Sequence, residues 1–163
     1  VQACQLIGID NSAAMLERAR DFICAEHLSL PVELIEADIT EQTFANASVV
    51  IMNYTLQFVP VALRASLLTR VRDAMQPGDV LILSEKLRID DPQMDRWMID
   101  LHHDFKRAQG YSELEVAQKR QALDNVLIPE TRTAHVERLR ECGFSSCDFW
   151  FQCFNFASLI AIA

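Results

Sequence analysis

The sequence predicts an α/β fold on a mostly parallel sheet that ends in an antiparallel strand pair. Three observations carry that reading. Short apolar runs alternate with helical stretches from Leu6 to about residue 142, the pattern of strands joined by crossover helices. Ala47-Ser48-Val49-Val50-Ile51-Met52 is β-branched and reads as a strand buried on both faces. The last two runs, Phe144 to Phe151 and Phe154 to Ile162, leave room only for a short connection and so pair antiparallel.

The elements follow in order. Leu6-Ile7-Gly8-Ile9 ends at Asp10, and Asn11 or Ser12 can cap the next helix by accepting from its free N–H groups. Met15, Ala19, Phe22 and Ile23 then recur at helical spacing, with Glu17, Arg18 and Arg20 facing outward. Pro31 breaks the chain; Val32 to Ala37 is a second strand ending at Asp38, and the third ends at Asn53. Pro60 suits the first turn of a helix, where its missing N–H is not needed. Leu63, Leu67, Val71 and Met75 line that helix's inner face, and Pro77-Gly78 stops it. Asp79 to Glu85 is a fourth strand. Asp91-Pro92 opens a helix striped by Met94, Trp97, Met98, Leu101 and Phe105, and Gly110 ends it. Ser112 and Glu115 have capping-box spacing, so a new helix starts there. A further helix spans Thr131 to Cys142, with Gly143 as its left-handed stop. No repeat or linker interrupts the chain, which reads as a single domain over 1–163 with a helical insertion at about 91–128. The abrupt start at Val1, already inside a strand, reads as the C-terminal part of a longer protein.

Composition narrows the function classes. The 163 residues suffice for one hydrophobic core. No apolar run reaches the roughly 20 residues a membrane helix needs, and no secretory signal is visible. A net charge of -8 argues against a nucleic-acid footprint. The five cysteines are odd in number and contain no C-x-x-C pair, which fits reduced thiols in a cytoplasm and no metal centre.

Ligands of open α/β sheets bind beyond the carboxyl ends of the strands. Three strands here end in a polar residue at that edge: Asp10, Asp38 and Asn53. A carboxylate after the first of these strands can accept from both ribose hydroxyls. Asp38 can accept from an adenine amino group while the N–H of Ile39 donates to a ring nitrogen, and Asn53 can do either. These three favour a nucleotide-like ligand over simple turn capping, with S-adenosylmethionine and a nicotinamide dinucleotide as the candidates. The closing antiparallel pair favours the former; neither cofactor's Gly-rich loop is present, since Gly8, Gly78, Gly110 and Gly143 are scattered. The segment from Leu101 to Arg120 carries His102, His103, Phe105 and Tyr111 around the break at Gly110, and reads as a functional insertion held over the ligand. Adjacent helical residues point about 100° apart, so His102 and His103 cannot face one ligand equally. Neither is assigned as a catalyst or metal ligand.

Several stretches resemble the carboxy-S-adenosyl-L-methionine synthase family: Leu6 to Ser12, Asn53-Tyr54-Thr55-Leu56-Gln57-Phe58, Leu83-Ser84-Glu85-Lys86, the block His102 to Glu115, Gln118-Lys119-Arg120, and Trp150 to Phe156. The resemblance implies a Rossmann-like class I methyltransferase fold whose first strand and Gly-rich loop lie before Val1. It implies conversion of S-adenosylmethionine and prephenate to carboxy-S-adenosylmethionine and phenylpyruvate. The product would supply a separate enzyme that modifies wobble uridine in tRNA. It further implies a cytoplasmic homodimer with no direct nucleic-acid or membrane contact. By that resemblance Asp10, Asn11, Asp38, Ile39 and Asn53 contact the cofactor, and Arg120 holds the added carboxylate as the catalytic assignment. A guanidinium suits that task, since it grips a carboxylate through two parallel hydrogen bonds. An ylide site must exclude water, and the helical stretch from Trp97 to Leu123 is the expected lid. An ordinary methyltransferase, or a binding or assembly piece without catalysis, are the alternatives.

Overall fold

The computed structural model describes residues 4–26, 30–123 and 126–163, with the side chains of Val116, Lys119, Arg120 and Ala122 outside the described part. The chain resolves into two compact units, Val1–Thr43 and Phe44–Ala163.

The first unit holds β1 (Leu6–Asp10), α1 (Ala13–Ala25) and β2 (Val32–Glu36). The two strands pair in parallel, with Asp10 opposite Glu36. Gly8 makes room for its partner across the ladder: a Cβ on it would sit 2.7 Å from Cδ2 of Leu34, whose side chain would have to shift. Ser12 caps α1, its Oγ accepting from Met15 N–H at 3.4 Å. The helical stripe expected of α1 is displaced: Leu16 is buried, whereas Met15 and Phe22 stand exposed.

The second unit runs β3 (Val49–Asn53), a 3-10 turn (Leu56–Phe58), α2 (Val61–Asp73), β4 (Val80–Lys86), α3 (Pro92–Ala108), α4 (Glu113–Leu123), α5 (Arg132–Glu141), β5 (Ser146–Cys153) and β6 (Phe156–Ile162). Its sheet has the order β3-β4-β6-β5. β3 and β4 are parallel, while β6 is antiparallel to both β4 and β5, as the sequence predicts. Asp91 accepts from Gln93 and Met94 N–H at 2.9 Å, with Pro92 opening α3. Ser112 and Glu115 form the reciprocal capping box: Ser112 N–H donates to Glu115 Oε2 at 2.8 Å and Glu115 N–H to Ser112 Oγ at 3.2 Å. Gly110 and Gly143 end their helices at φ 91° and 92°. Among the described residues no helix is long and apolar enough to cross a membrane.

Period-2 alternation gives this sheet two unlike faces. Leu81, Leu83 and Glu85 of β4, with Met52, Leu159 and Ala161 of its neighbours, are buried. Their counterparts on α2 and α5 are Leu67, Leu68, Val71 and Leu139. The opposite face carries Val49 and Ile51, which are 57% and 60% exposed. β3 is therefore buried on one face, not two; its β-branched run reflects strand propensity rather than double coverage. α2 departs in the same way. Leu63 is 44% exposed, and the inward position belongs to Arg64 at 0%.

Arg64 is the polar hub of this unit. Its Nε donates to Val59 O at 2.9 Å, and its Nη2 to Gln57 O at 3.2 Å and Ile128 O at 2.9 Å. Nη1 pairs with Glu130, whose other oxygen pairs with Arg138. Glu85 completes the cluster by accepting from Leu56 and Gln57 N–H, each at 2.9 Å. Burial pushes the Glu85 carboxyl up to about 7, against the pull of those N–H groups and of Arg64. His135, 3% exposed on α5, has both ring nitrogens without a partner among the described residues. Burial lowers it to about 4; Glu130 opposes that shift, and Arg138 and Arg64 add to it.

Two outcomes follow from this cluster. Arg64→Leu leaves one oxygen of Glu130 and three carbonyls without their donor in a dry site, so urea melts should show a loss of about 3–5 kcal/mol. His135 is neutral in the folded chain and takes up a proton on unfolding below pH 6.5, so its contribution is present above 6.5 and is lost as pH falls towards 4. His135→Leu should flatten the fall in stability over that window by up to about 3 kcal/mol, read from urea melts at both ends.

Candidate functional site

β1 and β2 run parallel, so their carboxyl ends share one edge, and the turns that follow set two carboxylates there. Asp10 Oδ1 accepts from Ser12 N–H at 2.8 Å. Asp38 Oδ1 accepts from both Thr40 N–H at 2.8 Å and Thr40 Oγ1 at 2.7 Å. Each aspartate thus spends one oxygen on its own turn and keeps Oδ2 for a ligand. The Thr40 hydroxyl, followed by the Thr40 N–H, holds Asp38 below the usual carboxylate range, so it is an acceptor at neutral pH. Ala37 N–H donates to Asp10 O at 3.0 Å, which ties the two turns together. Asn11 is exposed beside Asp10, and Ile39 follows Asp38 half-buried. Ribose hydroxyls and an adenine amino group are donors of the kind these free oxygens accept, so the residues present fit a nucleoside.

Asn53 stands at the carboxyl end of β3 in the second unit, its side chain exposed. The structure therefore brings Asp10, Asn11, Asp38 and Ile39 to one edge, and sets Asn53 at the equivalent edge of the other sheet. Arg120 falls within α4, and its side chain lies outside the described residues.

What surrounds Asn53 is set by strand pairing, which local sequence patterns do not show. Register places Asn53 opposite Ser84, and Ser84 opposite Ser158, in one row across β3, β4 and β6. The row continues into β5 through Trp150, which alternation from Phe149 places on the same face, and a register shift between Phe149 and Phe151 sets Phe151 opposite Ser158. Its Nε1 donates to Ser158 Oγ at 2.9 Å, and Ser84 and Ser158 hydroxyls lie 3.0 Å apart. Tyr54, at φ 55°, sends its N–H to Ser84 O at 2.7 Å and packs edge-on to Phe156 with ring centres 5.8 Å apart. Non-glycine residues hold that backbone only where their surroundings impose it, often at functional sites. These groups line a cavity of about 390 Å³. In the sequence these residues were marked only by falling within stretches that carry the family resemblance, Asn53 to Phe58, Leu83 to Lys86 and Trp150 to Phe156.

His102 packs against Phe156 and Phe154 at 4.8 and 5.9 Å between ring centres. Burial, then Lys106, His103 and Lys86, lowers it to about 4, so it is neutral at physiological pH. The apolar stripe of α3 is largely uncovered: Trp97, Leu101 and Phe105 are at least half exposed, although Phe105 meets Phe154 with ring centres 5.6 Å apart, and the helix has no buried residue.

A family model described as a methyltransferase domain matches residues 1–78. The carboxy-S-adenosyl-L-methionine synthases of Trichlorobacter lovleyi and Aliivibrio fischeri are 52% and 51% identical over 98% and 99% of this chain. The chain spans 66% of the length of each of these curated relatives. Among solved structures, the S-adenosylmethionine-dependent methyltransferase SibL in its apo form matches with a TM-score of 0.65 at 19% identity, over 97% of this chain and 43% of that one. The DhpI-SAM-HEP complex matches with a TM-score of 0.66 at 18% identity, over 98% and 68%. Identities this low speak for the fold alone, and that fold is the class I S-adenosylmethionine-dependent methyltransferase fold. The relatives at half identity narrow the class: the chain belongs to the carboxy-S-adenosyl-L-methionine synthase family.

The Asp38 turn can be checked directly. Thr40→Val removes the hydroxyl that does most to lower the carboxyl and leaves the backbone donor. The Asp38 carboxyl carbon, followed by NMR titration, should move up towards 3.8. An unchanged midpoint would mean the threonine hydroxyl does not set this acceptor.

Proposed function

We propose that the protein to which this chain belongs converts S-adenosylmethionine and prephenate to carboxy-S-adenosylmethionine and phenylpyruvate. The observation that carries the reading is the half-identity match to carboxy-S-adenosyl-L-methionine synthases, which runs through the α3–α4 segment as well as the strand ends. The paired carboxylates at the β1–β2 edge support it by fitting the ribose and adenine of the sulfonium substrate. In this reading Asp10 and Asn11 hold the ribose, Asp38 and Ile39 the adenine, and Asn53 a further part of the same molecule.

The reaction needs a carbon–carbon bond to a ring carboxylate to break and its electron pair to pass into the ring. The ring hydroxyl then leaves and takes up the proton released from the sulfonium methyl, so water is formed. The methyl carbon captures the carbon dioxide. What the chain contributes is orientation and a dry enclosure: Arg120 grips the carboxylate that distinguishes product from substrate, and α3 and α4 close over the site with their apolar stripe. The exposed Trp97, Leu101 and Phe105 support a covering role for α3, or a place in a homodimer interface. No metal takes part in this scheme, and the enzyme works in the cytoplasm. The product passes to a separate tRNA carboxymethyltransferase.

Full-length protein given both substrates should release phenylpyruvate and a sulfonium product heavier by one carbon dioxide. Methyl transfer to an acceptor, with no carboxylated product by mass spectrometry, would refute the reading. Arg120→Ala should weaken carboxy-S-adenosylmethionine more than S-adenosylmethionine by about tenfold or more, since a charge-assisted hydrogen bond contributes roughly 1.5–3 kcal/mol. Arg120→Lys should recover only part of the difference, and Asp10→Ala should weaken both ligands alike. Calorimetric titration of the two ligands reads each case.

A further inference from the structure

We propose that the row Asn53, Ser84, Ser158 and Trp150, walled by Tyr54 and Phe156, seats the six-membered ring of the carboxyl donor. The inference rests on the reaction proposed above, but its geometry stands by itself. The cavity of about 390 Å³ is in the range that small-molecule ligands occupy. Its walls are aromatic faces and edges, which favour a flat ring through stacking and edge contacts.

The floor has a donor left over. Trp150 Nε1–H and the two serine hydroxyls supply three hydrogens, and the contacts among them use two. Whichever serine donates to the other, one hydroxyl hydrogen finds no acceptor among the described residues. With Ser84 donating to Ser158, the spare hydrogen is on Ser158, which is 6% exposed and has little solvent to turn to. A buried donor without a partner favours a ligand that brings an acceptor oxygen. The ring hydroxyl of the carboxyl donor is such an oxygen.

The placement fits the chemistry. The row starts at Asn53, which the reading above assigns to the sulfonium substrate, so a ring seated beside it would lie against that substrate. Trp150 reaches this face by ordinary strand alternation from Phe149, and the β-bulge beside it sets Phe151 opposite Ser158 on the same face; bulges recur next to active sites because they re-aim one side chain. The ring also flattens as it loses its carboxylate and hydroxyl. Aromatic walls therefore bind the changing ring better than the starting one, the kind of differential binding that lowers a barrier.

The test uses full-length protein with phenylpyruvate as the probe. Within this chain Trp97 and Trp150 are the two tryptophans. Saturable quenching of tryptophan emission by phenylpyruvate should persist in Trp97→Phe and vanish in Trp150→Phe. Ser158→Ala should raise the KM for prephenate about tenfold, the change expected of one lost hydrogen bond to a buried group, and leave the half-saturating phenylpyruvate concentration within about twofold, because phenylpyruvate no longer carries the ring hydroxyl. S-adenosylmethionine affinity should stay within about twofold, because its own contacts lie elsewhere. Ser84→Ala, at a less buried position, gives the same readout if Ser158→Ala folds poorly. Quenching that survives in Trp150→Phe, or a parallel loss of S-adenosylmethionine affinity in the serine variants, overturns the ring seat. If no carboxylated product forms but phenylpyruvate still quenches Trp150, the seat stands and the proposed reaction falls.

Discussion

The second unit depends on one guanidinium. Arg64 is fully buried, and its donors reach the turn after β3, the segment before α5 and the carboxylate of Glu130. Glu85 holds the same turn from the β4 side, and the Gln57 side chain accepts from Lys86 N–H at 3.0 Å. The backbone leaving Asn53 and Tyr54 is thus fixed from α2, from β4 and from the 128–130 segment at once. That explains how Tyr54 keeps its left-handed backbone: several buried hydrogen bonds converge on the turn that follows it, and strain of this kind persists only where the surroundings over-determine it.

The two faces of this sheet divide the labour. The covered face is built from leucines and alanines, with Glu85 as the single charged intrusion, and supplies burial. The other face is where the polar row and the aromatic walls lie. A row of side chains across four strands needs correct register at three ladders, because a one-residue slip would turn each member to the wrong side. The Ser84–Ser158 contact and the Trp150 indole bond both span strands, so each reinforces the register that creates it.

Local features were legible in the sequence and long-range ones were not. The cap at Ser12, the helix start at Asp91-Pro92, the Ser112–Glu115 box and the glycine stops each depend on a few neighbouring residues and were all legible, whereas Thr131, read as part of its helix, is instead its cap. The Asp10 and Asp38 turns belong to this group, since each carboxylate is set by a residue two positions on. Arg64 could not be read in the same way. On α2 it follows Leu63, and helical periodicity assigns the leucine to the core; only the partners at Glu130 and Ile128, more than sixty positions away, reverse the choice. The bulge at Trp150 is equally silent, because it exists only relative to β6. The run Val49 to Met52 misled for a related reason: β-branched residues report a preference for strand, and coverage depends on what packs against each face.

Charge balance decides which members of the hub can titrate. Arg64 and Arg138 bring two fixed positive charges into the interior, and Glu130 answers one of them while being shared by both. Burial opposes ionisation of Glu130, yet hydrogen bonds from Arg138 and Arg64 hold it low, so it stays a carboxylate. The remaining positive charge falls to Glu85, where burial is the larger influence and sets the titration at about 7. A proton on Glu85 leaves the cluster one positive charge in excess; its loss makes the cluster neutral. His135 has no such freedom, because its proton would add a third cation beside the two arginines in a site that already penalises charge. Glu85 therefore contributes most below 4.5 and loses that contribution as pH rises through 7, the reverse of His135. The two slopes oppose each other between pH 4.5 and 6.5, so the fold that positions Asn53 and Tyr54 is buffered against mild acid by a pair of groups that touch no ligand.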